Sequence, residues 1–108
     1  MPLKVNFFRQ ESGKEPVRAW LKSLPPEDRK NIGQDIKTVQ WGWPLGMSLV
    51  RNLGGGLWEI RTSLPGRIAR VIFCTHDDHI VLLHGFIKKK QKTPEKAIAL
   101  AKQRMNRL

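Results

Sequence analysis

The spacing of apolar residues divides the chain into an N-terminal strand, two helices, a sheet and a C-terminal helix. Polar and apolar residues alternate over residues 3–7, which predicts a short strand with one buried face. Apolar residues then recur at helical spacing over 17–24 and over 32–39, which predicts two amphipathic helices. Pro25 and Pro26 separate these helices, because proline ends one helix and suits the first turn of the next.

A loop after the second helix and a helix near the C-terminus are also predicted. Residues 41–46 break the helical period and are expected to form an ordered loop whose two tryptophans cap the core. Near the C-terminus, Thr93 is expected to cap a helix that has Pro94 at its first position. The buried stripe of that helix would contain Ile98, Ala101, Met105 and Leu108.

Three strands are predicted between these helices, over residues 57–64, 67–74 and 79–87. The first two flank Pro65-Gly66, which suits a two-residue hairpin turn. The third is apolar on both faces through residues 80–83, as expected of a central strand that is covered on both sides. With 108 residues, the chain is expected to be one domain with a modest core.

The register of the first hairpin places two arginines opposite each other. With Pro65-Gly66 as the loop, Arg61 lies directly across from Arg70 on the face opposite the core. Like charges in that position repel each other, so a compensating group is needed. Two interpretations stay open: a solvated strand face on which Glu59 bridges the arginines, or a site for an anion.

The position of His84 depends on the turn at residues 75–78. A two- or four-residue loop would put His84 and Phe86 on the core face, whereas an odd loop or a bulge would move them beside Arg70. The sequence leaves both registers open. It also leaves open whether His84 is a structural histidine or a catalytic acid or base.

Charge is concentrated towards the C-terminus of a chain whose net charge is +11. Residues 87–108 hold eight lysines or arginines against one glutamate. Such a field attracts phosphates, which indicates a polyanionic partner. Cys74 is the only cysteine, which excludes an intramolecular disulfide and a zinc site built from cysteines. We expect no metal site, no membrane span and a cytoplasmic location, since neither a signal peptide nor a long apolar run is present.

Several short stretches, taken in order, resemble a known family. They are Pro16-Val17 with Trp20-Leu21, then residues 56–61 (Gly-Leu-Trp-Glu-Ile-Arg), 70–73 (Arg-Val-Ile-Phe), 82–89 (Leu-Leu-His-Gly-Phe-Ile-Lys-Lys) and 91–94 (Gln-Lys-Thr-Pro). Together they resemble the phage-derived, HigB-like branch of the RelE/ParE toxin superfamily. The resemblance implies a single α+β toxin domain over residues 1–108. In it, an N-terminal strand and two helices pack on a curved, mainly antiparallel sheet, followed by a C-terminal helix.

The resemblance also implies an activity and partners. RelE-like members are metal-independent endoribonucleases that cut mRNA on the ribosome and so inhibit translation, without a cofactor. A helix-turn-helix, HigA-like antitoxin encoded beside the toxin neutralises it. ParE-like members instead inhibit DNA gyrase on the same fold, so a gyrase inhibitor stays an alternative, as does a plain nucleic-acid-binding module.

The candidate site residues are basic or aromatic and lie between residues 51 and 92. By resemblance, Arg61 and Arg70 fall where RelE-like toxins keep basic catalytic residues, and guanidinium groups match phosphate oxygens. The catalytic candidates are Arg61, Arg70, Lys88, Lys90 and His84, and the RNA-binding candidates are Arg51, Arg67, Phe86, Lys89 and Lys92. RelE-like enzymes commonly use a C-terminal tyrosine, and this chain contains none. Glu59, His84 and a lysine of the basic cluster therefore all stay open as the general base.

Overall fold

The computed structural model describes residues 3–44, 49–89 and 92–108. Within them the chain forms β1 (Lys4–Phe7), α1 (Pro16–Ser23), α2 (Pro26–Gly42), β2 (Val50–Gly54), β3 (Leu57–Leu64), β4 (Arg67–His76), β5 (His79–Lys88) and α3 (Glu95–Met105). The strands make one sheet in the order β1-β5-β4-β3-β2, in which β1 runs parallel to β5 and the other neighbours are antiparallel. The predicted α+β fold, with a mainly antiparallel sheet, is confirmed.

Helices α1 and α2 cover one face of this sheet. The apolar stripes that the sequence predicted supply Val17, Ile32, Ile36 and Val39, which are buried against residues of β3, β4 and β5. Proline occupies the first position of both helices, where its missing N–H costs no hydrogen bond. Among the described residues, no helix has the length and the apolar character that crossing a membrane requires.

The tryptophans near the end of α2 differ from each other in burial. Trp43 packs edge-on against Trp58 and Phe73, with ring centroids 4.8 Å and 5.3 Å apart, and so caps the core as predicted. Trp41 contradicts the prediction, because it lies in the last turn of α2 and is 65% exposed. Residues 45–48 of the predicted loop lie outside the described residues.

The opposite face of the sheet carries a second core under α3. Ala97 and Ala101 of the helix are buried against apolar side chains that include Phe8, Ile72 and Leu83. Two details of the predicted helix were wrong. Thr93 does not cap it, since Pro94 is the N-cap residue and no side chain caps the first turn. Leu108 is 43% exposed rather than buried, because α3 ends at Met105.

The predicted register of the β3–β4 hairpin is confirmed. Trp58 pairs with Phe73, and Arg61 pairs with Arg70. Gly66 adopts a left-handed φ of 68°, which a two-residue turn requires and which glycine tolerates. The side chains of Glu59, Arg61 and Arg70 therefore share the α3 face of the sheet.

A two-residue turn and a β-bulge together set the position of β5. The turn residues Asp77 and Asp78 have left-handed φ angles of 48° and 62°. The pairing then shifts by one residue between Ile72 and Phe73, so that His84 pairs with Ile72 and Phe86 pairs with Arg70. The bulge thus decides between the two registers that the sequence left open, and it moves His84 and Phe86 to the α3 face beside Arg70.

Two features of the sheet could not be read from the pattern of residues. Strand β2 was not predicted, although it forms the edge next to β3. Gly85 of β5 lies directly beneath Trp20 of α1, and a Cβ atom built on it would come within 2.4 Å of the indole ring. A glycine at this position therefore permits close packing of α1 on the sheet.

Candidate functional site

A buried carboxylate organises the charged part of the α3 face. The Glu59 side chain is 0% exposed, and its Oε1 accepts a hydrogen bond of 2.7 Å from Nε of Arg61. The Nε atom of Arg70 lies 3.7 Å from the same oxygen. Thr93, which precedes α3, donates its hydroxyl to the other carboxylate oxygen. One buried glutamate thus joins strands β3 and β4 to the segment that leads into the C-terminal helix.

Three arginines surround this carboxylate at increasing exposure. Arg70 is fully buried, the Arg61 side chain is 14% exposed, and Arg51 of β2, which pairs with Glu59 across the sheet, is exposed. Burial and the charges of Arg61 and Arg51 lower the pKa of Arg70, against the opposing effect of Glu59. We call Arg51, Arg61 and Arg70 the arginine cluster. It carries more positive charge than Glu59 offsets, so an anion near Arg61 would be attracted.

An aromatic pair borders the arginine cluster. The rings of His84 and Phe86 stack with centroids 5.3 Å apart and an interplanar angle of 29°. Phe86 pairs with Arg70 in the sheet, and both rings are only partly buried. Burial, together with the charge of Arg104, lowers the pKa of His84. His84 is therefore neutral at neutral pH, and its ring can accept a proton.

The basic segment after β5 continues the same face. Lys88 pairs with Ile68, two residues along from the pair formed by Arg70 and Phe86 and so on the same face, and it is exposed. Lys89 and Lys92 are exposed as well. Lys90 lies outside the described residues. Exposed ammonium groups at this end of the sheet add to the positive field of the arginine cluster.

The structure does not bring Arg67 to this site. Residue 67 belongs to the face covered by α1 and α2, and its guanidinium contacts the Asp28 carboxylate of α2 at 3.2 Å and 3.4 Å. The sequence places Arg67 only three residues from Arg70, but the alternation of a β-strand sends their side chains to opposite faces. Arg67 thus joins α2 to the hairpin, away from the arginine cluster.

Two polar contacts at the site were missed by sequence reasoning. Thr93 was expected to cap a helix, whereas its hydroxyl binds Glu59. Arg104 belongs to none of the predicted sites, yet its Nη1 donates a hydrogen bond of 2.7 Å to the carbonyl oxygen of Leu83. Leu83 is the extra residue of the bulge in β5, and no local signal in the sequence marks a bulge or the distant arginine that reaches it.

The histidines and aspartates of the β4–β5 turn form only local contacts. His76 Nε2 lies 3.3 Å from the carboxylate of Asp77, and His79 Nδ1 lies 2.7 Å from the main-chain oxygen of the same residue. Among residues 3–44, 49–89 and 92–108, no three histidine, cysteine or acidic side chains converge as metal ligands would. These contacts therefore join residues within the turn, and none of them reaches the arginine cluster.

Comparison with known protein families gives a match over most of the chain. A family described as Phage derived protein Gp49-like (DUF891) matches residues 19–106. A comparison with curated proteins found none that matches. The family match spans strands β2 to β5, α2, α3 and the arginine cluster, whereas β1 lies before it. The chain therefore belongs to the phage-derived Gp49-like family, a family of RelE/HigB-like toxins.

Proposed function

We propose that the protein is the toxin of a type II toxin–antitoxin system and acts as a ribosome-dependent endoribonuclease that cleaves mRNA. The observation that carries this proposal is the arginine cluster around Glu59, beside the stacked pair of His84 and Phe86. Membership of the Gp49-like family is compatible with a toxin. The ribonuclease activity rests on the chemistry of the site.

The proposed reaction uses the 2′-hydroxyl of the RNA as nucleophile. Its oxygen forms a bond to phosphorus, a base takes its proton, the bond from phosphorus to the 5′-oxygen breaks, and an acid supplies a proton to that oxygen. Negative charge develops on the phosphorane oxygens during this step. Guanidinium groups stabilise such charge well, because their N–H groups match the geometry of two oxygens.

Arg61 is the arginine placed to make this contact. Its side chain is partly exposed, and the bond to Glu59 fixes its orientation before RNA binds. Arg70 is fully buried, so it acts by its charge from beneath the surface and by holding Glu59 in place. This division differs from the equal roles that the sequence predicted for the two arginines.

Of Glu59 and His84, His84 is better placed to act as the general base. Glu59 is 0% exposed and accepts hydrogen bonds from Arg61 and Thr93, which occupies its oxygens. His84 is partly exposed and neutral at neutral pH, so its ring nitrogen can take a proton from a 2′-hydroxyl. Lys88 stays an alternative. Phe86 would stack on an RNA base next to the cleaved bond.

A second part of the proposal concerns neutralisation. We expect a helix-turn-helix, HigA-like antitoxin to bind the toxin, with an acidic segment over the arginine cluster, because the same field attracts RNA and carboxylates. Removal of that segment from the antitoxin should abolish neutralisation. An antitoxin that lacks every acidic segment and still neutralises would contradict this placement.

Mapping of transcript 5′ ends after brief induction tests the activity. Cuts that follow codon phase within translated mRNA are expected, since a ribosome-bound enzyme meets RNA in steps of one codon. New 5′ ends outside translated regions would point to free RNA as the substrate. Accumulated DNA cleavage with intact mRNA would instead support the gyrase inhibitor and overturn the proposal.

A further inference from the structure

A cavity of about 180 Å³ lies at the edge of α3, away from the arginine cluster. It is lined by Phe8, Gln10, Leu100, Gln103, Arg104 and Arg107. Two guanidinium groups and two carboxamides thus surround an aromatic and an aliphatic side chain. None of the lining residues is a carboxylate, so among the described residues nothing in the lining offsets the two positive charges.

Arg104 is held in this cavity rather than free to move in solvent. Its Nη1 donates a hydrogen bond to the Leu83 carbonyl, and its guanidinium carbon lies 5.7 Å from the centroid of the Phe8 ring. Partial burial lowers its pKa, as expected where water reaches a cation poorly. A guanidinium has five N–H donors, so a fixed Arg104 can bind an anion with the donors that face the cavity.

Direct contacts connect this cavity to the arginine cluster. Arg104 binds Leu83, the next residue His84 stacks on Phe86, and Phe86 pairs with Arg70 in the sheet. The charge of Arg104 also reaches His84, because it adds to the burial that lowers the pKa of this histidine. Arg104 and Arg61, which lies across from the buried Arg70, are both partly exposed and so stand on either side of the aromatic pair. This arrangement suits one strand of nucleic acid with a base on the Phe86 ring and phosphates on the two cations.

We infer that the cavity around Arg104 and Arg107 is a second RNA-binding site, which holds a backbone phosphate on the far side of the base stacked on Phe86. The inference rests on the proposed function in taking RNA as the ligand. It adds an anchor remote from the cleaved bond, so the site governs binding of RNA rather than the bond-breaking step.

A matched pair of variants tests the inference. Arg107→Gln and Lys102→Gln each remove one positive charge near the end of α3, but only residue 107 lines the cavity. Both side chains are exposed, so neither change is expected to unfold the protein. The measurement is equilibrium binding of a short single-stranded RNA to each purified variant over about 50 to 200 mM salt.

Arg107→Gln is expected to weaken RNA binding by about fivefold and to reduce the salt slope by about 0.7, the loss of one phosphate contact on a single strand. Lys102→Gln should leave the slope unchanged. Gln103→Glu, which places a carboxylate in the cavity without a change of size, should also weaken binding. Equal affinities and slopes for the Arg107 and Lys102 variants would overturn the inference.

Other outcomes separate this inference from the proposed function. If the wild-type protein fails to cut mRNA on ribosomes but Arg107→Gln still lowers the salt slope, the ribonuclease proposal is refuted and the second RNA-binding site is supported. If the wild-type protein cuts mRNA and Arg107→Gln has the same RNA affinity and salt slope as Lys102→Gln, only the second RNA-binding site is refuted. Weaker antitoxin binding by Arg107→Gln with unchanged RNA binding would assign the cavity to protein carboxylates and overturn the inference.

Discussion

Replacement of Glu59 by glutamine is expected to lower the free energy of unfolding by about 3–5 kcal/mol. The substitution keeps the size of the side chain and an oxygen that Thr93 can donate to. It removes the negative charge that lies 2.7 Å from Arg61 and 3.7 Å from Arg70. Because Arg70 is fully buried, water cannot replace the lost carboxylate there. The loss would be a large part of the roughly 5–15 kcal/mol that holds a typical domain folded.

Urea denaturation followed by tryptophan fluorescence measures this loss. With a slope of about 1.5 kcal/mol per molar urea, the midpoint should fall by about 2–3 M. The matched control is Glu15→Gln, which breaks the exposed pair between Glu15 and Arg18, 3.3 Å apart. That change should cost less than about 1 kcal/mol. Equal midpoints for the two variants would refute the reasoning that Glu59 offsets the charge of the buried arginine.

Three further predictions concern packing and titration. Gly85→Ala should lower the free energy of unfolding by about 1–3 kcal/mol, because its Cβ would meet the Trp20 ring at 2.4 Å. The control Gly33→Ala has no described atom within 4 Å of its Cβ and should raise the free energy of unfolding by about 0.5–1 kcal/mol. Similar denaturation midpoints for the two variants would argue against the close contact. Burial raises the pKa of Cys74 to about 11. The unfolded chain therefore loses the thiol proton first, and stability should fall from about pH 9 to about pH 11 by more than in Cys74→Ala. Burial and the nearby Arg104 lower the pKa of His84, so the unfolded chain gains the proton first as pH falls below about 6.5. Denaturation should therefore show a loss of stability below that pH, and His84→Gln should reduce the loss. Identical pH profiles for the wild-type protein and this variant would contradict the prediction.

The sequence predicted most of the fold because its apolar spacing is regular. The two N-terminal helices, the β3–β4 register and the opposed pair of Arg61 and Arg70 follow from local periodicity and a two-residue turn. Strand β2 was missed, since Val50–Gly54 is short and lies partly exposed at the sheet edge. Its pairing with β3 is a tertiary contact, which local pattern does not reveal.

The site was predicted in part, and the missing part depends on contacts between distant residues. The arginines could be placed opposite each other from register alone. The full burial of Arg70 is a tertiary property that the register does not reveal, and the position of His84 depends on one bulge in β5. Likewise, Thr93 reaches Glu59 only because the chain returns to the sheet before α3. Propensity rules describe the neighbours of a residue along the chain, so they assigned Thr93 to a helix cap instead.

Cleavage of mRNA on programmed ribosomes by purified protein tests the central claim, that the α3 face of the sheet carries the activity. Arg61→Gln and Arg67→Gln form the matched pair, because both arginines belong to the β3–β4 hairpin and each contacts a carboxylate, but on opposite faces of the sheet. The account predicts cleavage by the wild-type protein and by Arg67→Gln, and a loss of about 100-fold or more in Arg61→Gln while it remains folded. Undiminished cleavage by folded Arg61→Gln would contradict it.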